Sequence, residues 1–516
     1  MRMDFSFIVH VGCLLLLLLL VRIVINIWWI PRRLKSCFES QGVFGPPYKL
    51  LYGNTTQVIQ IMIAANSSSM DLSHDILPRV LPEIYSWTKL YGKNFVYWFG
   101  PTPRIVIPQP ELIREVLCDK SGSFEKPEIP IQLRQLSGDG LANSRGGKWA
   151  RQRRLIAPAF HLETLKAMVV PVVVGSTANM LQRWNHRIAS GSQEIEVGDE
   201  FRNLTADIIA KTAFGSSFEE GKQIFDLQTH QAILAAESFR KFNIPGYRFL
   251  PTRSNLKAQK IDSEIQRALS RIIINREKNA EAENEKKDLL GTIMMGGSGG
   301  MRKHEMGYQD VIDECKTLFV AGHETTAILL VWSIILLAMD THWQDKARQE
   351  VLHFCNNGNA PDVDALTRLK IVNMILHEVL RLYPPLPFMI RKTNKMTKLG
   401  RFVLPKGTEI SIPIAALHHD EELWGEDAKE FNPWRFQGGV SKAANHQAAF
   451  MPFGLGPRIC VGMNFSLIES KVVLAMILQR FSWALSPAYV HAPAQNFTIR
   501  PQHGAQVIFN KVSFNE

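Results

Sequence analysis

Cysteine is scarce in this chain. Cys13, Cys37, Cys118, Cys315, Cys355 and Cys460 are the only six in 516 residues, scattered and without a CxxC pair. A disulfide scaffold and a structural zinc site are therefore poorly supported, and a reducing compartment suits the bulk of the chain. No Lys/Arg block interleaved with aromatics occurs, so nucleic acid is not expected as a partner. Phosphate-loop and dinucleotide fingerprints are missing too, and with them any sign of a nucleotide site. No internal repeat points to a solenoid or propeller. With 46% hydrophobic and 21% charged residues, the chain lies far from the polar composition of disorder. Its charge is lopsided: 59 Lys+Arg against 48 Asp+Glu give +11. That surplus favours acidic partners or anionic membrane surfaces and says nothing about fold.

One long apolar run is present, at the N-terminus. From Phe5 to Ile30 only His10, Arg22 and Asn26 interrupt it. As a helix it would measure about 39 Å, enough to cross a hydrocarbon core of about 30 Å with tilt. Trp28 and Trp29 suit an interfacial belt, and Pro31, Arg32, Arg33 and Lys35 follow at once. Positive charge after the span predicts a single-pass anchor, residues 1–30, with the bulk on the cytoplasmic side. A cleaved signal peptide would need a shorter core and small residues at the cleavage site, where this chain has Ile27-Trp28-Trp29-Ile30. The N-x-S/T sequons at Asn54, Asn66, Asn203, Asn464 and Asn496 are then chance matches in a cytoplasmic body.

Residues 31–50, basic and ending in Gly45-Pro46-Pro47, read as a stiff hinge. Residues 51–516 read as one catalytic body, with helical periodicity from about Asp71 to Leu382 and short strand-like pieces such as Glu409–Ile414 beyond Pro384. The expected fold class is mainly α with small β-sheets. Lys241–Pro251 (KFNIPGYRFLP) suits either a buried connector or a membrane-touching loop near a substrate entrance. Arg276–Asp288 alternates charge, as a solvated helix end and loop does. Gly296-Gly297-Ser298-Gly299-Gly300 matches GxSxG formally, but a nucleophile elbow requires a strand before the serine and a helix directly after it, whereas glycines crowded after a charged stretch read as a flexible loop.

Four constellations carry chemistry. In Phe453-Gly454-Leu455-Gly456-Pro457-Arg458-Ile459-Cys460-Val461-Gly462, glycines allow close approach of a flat ligand and positive φ. Arg458 offers a fork of donors to a carboxylate. A cysteine beside backbone N–H groups and a cation can be held as thiolate, although a lone cysteine is commonly just a buried one. The second, Ala321-Gly322-His323-Glu324-Thr325-Thr326, lies in a helix expected over about Tyr308–Met339. Its polar residues argue for a core helix rather than a second span, and an acid followed by a hydroxyl suits proton delivery. The second histidine of an HExxH zinc site is missing. Third, Glu378 and Arg381 share a helix face ahead of Tyr383-Pro384-Pro385, where Arg435 could complete a buried network. Fourth, Trp149 and Arg153 stand one helical turn apart, placed to stack on a ligand and bind its carboxylate.

The order and separation of all four resemble the cytochrome P-450 haem-thiolate monooxygenases, over essentially the whole chain after the anchor. The signature FxxGxRxCxG is met at Phe453, Gly456, Arg458, Cys460 and Gly462, the oxygen-activation motif at Ala321, Gly322, Glu324 and Thr325, and the structural triad at Glu378, Arg381 and Arg435. Trp434 departs from the pattern, since many members carry Glu there. The texture is similar to the plant microsomal non-A-type clan, which includes brassinosteroid- and gibberellin-inactivating hydroxylases.

The resemblance implies a cytochrome P-450 fold behind the transmembrane helix and haem b with Cys460 as its iron ligand. Trp149, Arg153, Arg391 and Arg458 would hold the propionates, and Glu324 with Thr325 would organise protons over dioxygen. It further implies electrons from NADPH through a flavoprotein reductase, an endoplasmic reticulum membrane and a lipophilic substrate such as a steroid, terpenoid, hormone or fatty acid. Leu386, Pro387 and Phe388 suit either that substrate's pocket or the core. The rivals are a haem-thiolate isomerase or dehydratase that uses no dioxygen, and a non-enzymatic membrane-anchored haem or ligand binder.

Overall fold

The computed structural model describes residues 5–214, 218–240, 251–279, 290–291, 306–355 and 360–512. Ser298 and its glycines lie outside these residues, as does the stretch from Lys241 except Pro251. The chain forms two compact units, each drawn from several stretches. The first takes Met1–Ser67, Leu81–Pro127 and Phe388–Pro413; the second takes Ser68–Val80, Glu128–Pro387 and Ile414–Glu516.

The first unit begins with the apolar helix Phe5–Val24. A π-helical turn over Ile25–Trp29 leads straight into helix Ile30–Glu39. Much of this run, His10–Glu39, is long and apolar enough to cross a membrane, and none of its most apolar window is buried. Arg32 lies over the Trp28 ring at 5.3 Å. Within the stretch expected as a hinge, Ile30–Glu39 is helical, and the residues around Gly45–Pro47 are irregular. That stretch is docked: Phe38 and Val43 are buried, and Gly45 lies so close to strand Val96–Phe99 that a Cβ would sit 1.8 Å from the Val96 carbonyl oxygen. The Tyr48 hydroxyl donates to the Ile27 carbonyl (2.7 Å), and its ring meets Trp98 edge-on. A five-stranded sheet follows in the order Val96–Phe99, Thr102–Val106, Glu409–Ile412, Met389–Thr393, Phe124–Glu125. Arg104 and Glu409 pair at 2.7 Å across its parallel step.

The second unit is built on helix Tyr308–Met339, the span the sequence predicts. Its C-terminal half, Thr326–Leu337, is buried throughout, as a helix apolar all round must be. Helix Val197–Phe214 packs along it, and helices Leu162–Ala189 and Met463–Leu478 pack on each other. Strands Glu194–Glu196, Gln506–Lys511 and Phe481–Leu485 form one sheet; Pro493–Asn496 and Thr498–Pro501 form a hairpin.

The fold is mainly helical with small sheets, as expected, but the boundary between textures is not where periodicity places it. Four short strands fall inside the region read as helical: Val96–Phe99, Thr102–Val106, Phe124–Glu125 and Glu194–Glu196. At two to five residues they are too short to show an alternation. Glu409–Ile412 is a strand, while Ile414 already opens a helix, and the long helix Met463–Leu478 interrupts the strand-rich tail. Helix Arg253–Asn279 ends within the charge-alternating segment, whose remainder lies outside the described residues.

Candidate active site

The second unit brings the thiol motif and the helix Gly146–Ile156 together. Cys460 lies just before helix Met463–Leu478, where unsatisfied N–H groups favour an anion. Its own N–H donates to the Phe453 carbonyl (2.8 Å), closing the turn. Gly454 and Gly456 take φ of 77° and 73°, which glycine alone adopts without strain. Gly462 does not: its φ is −87°, and a Cβ there would meet nothing closer than 3.9 Å. The expectation of positive φ holds for the first two glycines and fails for the third. Protein packing and backbone leave Gly462 replaceable, so the requirement that remains is room beside the thiol, 4.0 Å away.

Arg458 stacks over the Trp149 ring at 4.4 Å and donates through both terminal nitrogens to the Ser144 carbonyl (3.1 Å). Arg153 donates to the carbonyl of Ile459, next to the cysteine, at 2.8 Å. Burial pushes the Arg153 guanidinium below its usual value, and the Cys460 sulfur opposes that by its charge. Ser144 Oγ is buried and has no hydrogen-bond partner among the described residues. An exposed thiol, two guanidiniums, an indole face and an orphaned hydroxyl thus share one region. That donor set could hold a flat, dianionic, iron-bearing group by one soft ligand and its acidic edge.

Along the central helix, Ala321 is exposed in mid-helix, and Thr325 is half-buried with its hydroxyl donating to the Ala321 carbonyl (2.7 Å). The expectation that Ala-Gly leaves room for a ligand is met only by Ala321. Gly322 faces helix Val197–Phe214, where a Cβ would meet Ile209 Cδ1 at 2.9 Å, so that glycine serves helix packing. The acid and hydroxyl expected to act together are not bonded to each other: Glu324 Oε1 accepts instead from Arg500 (2.6 Å) and Thr498 (3.1 Å). Thr326 points the other way and donates to Ser466 in the helix after the thiol, at 3.0 Å. That bond joins the oxygen motif to the thiol motif.

The buried triad forms around Glu378. Arg381 makes a bidentate pair with it (2.8 and 2.7 Å), both side chains fully buried, and spends its other donors on the carbonyls of His418, Ala428 and Glu430. Arg435 Nε reaches Glu378 at 3.4 Å as an ion-pair contact, while its Nη2 pairs with Asp427 at 2.6 Å. Trp434, exposed, packs at a tilt beside Trp343 under the Lys346 ammonium. Of the remaining candidates, Leu386 is exposed and Pro387 is buried, its carbonyl accepting from Ala415. Phe388 and Arg391 belong to the first unit; Phe388 is half-buried, and Arg391 is buried in strand Met389–Thr393 with Nη1 on the Ile390 carbonyl. Arg500, Thr498 and Asp427 were not anticipated. Nothing in their local sequence marks them, because each is chosen by a partner far away in the chain.

Residues 81–509 match the family described as Cytochrome P450. The chain belongs to the cytochrome P-450 family, whose members bind haem iron, receive electrons from a redox-partner reductase and act as monooxygenases. It is 44% identical to Cytochrome P450 734A1 of Arabidopsis thaliana, over 97% of this chain and 96% of that protein. It is 45% identical to Cytochrome P450 CYP749A22 of Panax ginseng (98% and 96% covered) and 46% identical to Cytochrome P450 CYP72A616 of Paris polyphylla (94% and 95%). These are plant proteins of the clan that the sequence texture resembles.

Proposed function

We propose that this monooxygenase is held in the endoplasmic reticulum membrane by residues 1–30, linked through residues 31–50 to a cytoplasmic catalytic body of residues 51–516. It hydroxylates a lipophilic small molecule, of steroid or terpenoid type, with electrons from NADPH through a flavoprotein reductase. The observation that carries the reading is the Thr326–Ser466 bond: it sets Glu324 and Thr325 on a helix fastened to the one that follows the exposed Cys460 thiol.

Haem, when bound, supplies the oxygen chemistry at a C–H bond. Cys460 is the iron ligand, kept as thiolate by the helix N-terminus and by Arg153. Trp149, Arg153 and Arg458 hold the acidic edge, and Ser144 Oγ adds a donor there. Glu324 relays protons inward and the Thr325 hydroxyl orders water; its bond to the Ala321 carbonyl keeps it close to the helix axis until then. Glu378, Arg381 and Arg435 support the segment that leads into the thiol turn. Leu386, with Pro387, borders the substrate. The basic surplus of the chain suits an acidic reductase, and the resemblance to plant hormone-inactivating hydroxylases supports a steroid or terpenoid.

The test is the difference spectrum of dithionite-reduced microsomal protein with and without carbon monoxide. A strongly red-shifted Soret band that disappears in Cys460→Ser is the expected result. Haem bound without that band in refolded protein would refute Cys460 as the ligand.

A further inference from the structure

The acid of the central helix is held by a hairpin near the C-terminus. Glu324 Oε1 accepts from Arg500 Nη2 at 2.6 Å and from Thr498 Oγ1 at 3.1 Å, and Arg500 Nε donates to the same Thr498 oxygen at 3.1 Å. The three side chains close a ring in which each donor has one acceptor. Both bonds to the carboxylate fall on Oε1; among the described residues Oε2 has no hydrogen-bond partner. The Glu324 side chain is 14% exposed and that of Arg500 36%, so the pair sits between surface and core.

The hairpin that carries these groups is seated on the same helix. Trp332 Nε1 donates to the Ile499 carbonyl at 2.8 Å, and the Ile499 N–H donates to the Pro385 carbonyl at 3.2 Å. Arg79 holds its outer edge through the Pro493 carbonyl (3.3 Å) and Gln502 (2.9 Å). At the turn, Phe497 takes φ of 65°, a left-handed conformation that a non-glycine residue keeps only where its surroundings impose it. A carboxylate held through one oxygen keeps the other available for proton transfer, and this arrangement provides both conditions.

We propose that Arg500 and Thr498 are positioning residues. They fix Glu324 through Oε1 so that Oε2 relays protons, and they make that relay depend on the hairpin being seated. The proposal rests on Glu324 being the proton-delivering acid.

The test uses the haem-loaded full chain in microsomes with an NADPH-dependent flavoprotein reductase and no added substrate. Three quantities are read: hydrogen peroxide released per dioxygen consumed, the solvent deuterium isotope effect on dioxygen consumption, and backbone hydrogen exchange over residues 493–501. Glu324→Gln raises the peroxide ratio and the isotope effect, and lowers full reduction of dioxygen to water about 100-fold. Arg500→Gln does the same to a smaller extent, about tenfold, the size of one charge-assisted hydrogen bond, and also speeds hairpin exchange. Arg500→Lys restores most of the ratio. The double variant is no worse than Glu324→Gln. Arg183→Gln, which removes an exposed arginine paired with Glu200, stays at wild type.

If Glu324→Gln shows its loss while Arg500→Gln keeps the wild-type ratio and isotope effect, Arg500 only ties the hairpin down and the proposal is overturned. If Glu324→Gln itself changes nothing, the reading of Glu324 fails, and this inference with it. Should Arg500→Gln not take up haem, Thr498→Val decides by the same criteria, since it removes the hydroxyl and keeps the shape.

Discussion

A buried carboxylate with one oxygen left unpaired is costly, and Glu83 is one. It is buried in the first unit, Oε2 has no partner among the described residues, and desolvation pushes its carboxyl up to about 7, with its own backbone N–H and then the Arg104 charge pulling the other way. A folded-state value above the ordinary one means that the folded protein holds the proton more tightly. The stability this group contributes is complete below about pH 4.5 and is lost as pH rises through about 7. Glu83→Gln keeps the shape without the charge. It should therefore raise the unfolding free energy at pH 8 by about 3 kcal/mol, for a shift of this size, and leave it unchanged at pH 4; denaturant melts at the two pH values check this. At this scale the sequence is legible where chemistry needs residues close together in the chain. Phe453, Gly456, Arg458 and Cys460 carry their meaning in one turn, and Glu378 with Arg381 in one helical turn. Arg500 and Asp427 carry none until folding brings Glu324 and Arg435 to them.

Elements were readable in proportion to their length. Helix Tyr308–Met339 has the bounds its apolar pattern predicts, and Lys370–Leu382 ends where Tyr383-Pro384 forbids continuation. The four strands inside the region read as helical were missed because pieces of two to five residues draw their stability from pairing, which is decided by register and not by their own composition. The helix Lys370–Leu382 also organises the chain beyond its C-terminus. Arg381 spends its terminal nitrogens on three carbonyls from two later segments, the end of the short helix Ile414–His418 and the stretch Ala428–Glu430, so one guanidinium ties an irregular stretch to a helix end. An ammonium cannot reproduce a planar fork that serves several acceptors at once. Arg381→Lys should cost about 3 kcal/mol or more, the range for breaking a buried charged network. Lower haem retention during urea titration, together with faster hydrogen exchange over residues 428–436, is the expected signature. Unchanged exchange there would show that the irregular segment holds itself.

At the scale of the whole molecule, the described residues contain three helices long and apolar enough to cross a membrane, and burial separates them. Leu162–Ala189 and Tyr308–Met339 have large parts of their apolar windows inside the second unit, while the N-terminal run has none of its window buried. Truncation should respect the same division. Removing residues 1–24 takes away the helix Phe5–Val24, whose described side chains are exposed, and should yield protein that keeps its haem and needs less detergent. Removing residues 1–50 also takes Phe38, Val43 and the Phe44 carbonyl that accepts from Val96, and should leave the first sheet susceptible to protease. Equal protease resistance of the two would contradict the docking described for this stretch. The bond from the Tyr48 hydroxyl to the Ile27 carbonyl has a consequence for the lipid as well. The last turns of the apolar run are tied through Tyr48 to the first sheet, and in a bilayer this bond would resist pivoting of the helix. A long apolar helix in a thin membrane leans to hide its excess length. Here that lean would be passed on to the sheet, which would make the attitude of the first unit above the headgroups a function of how thick the bilayer is.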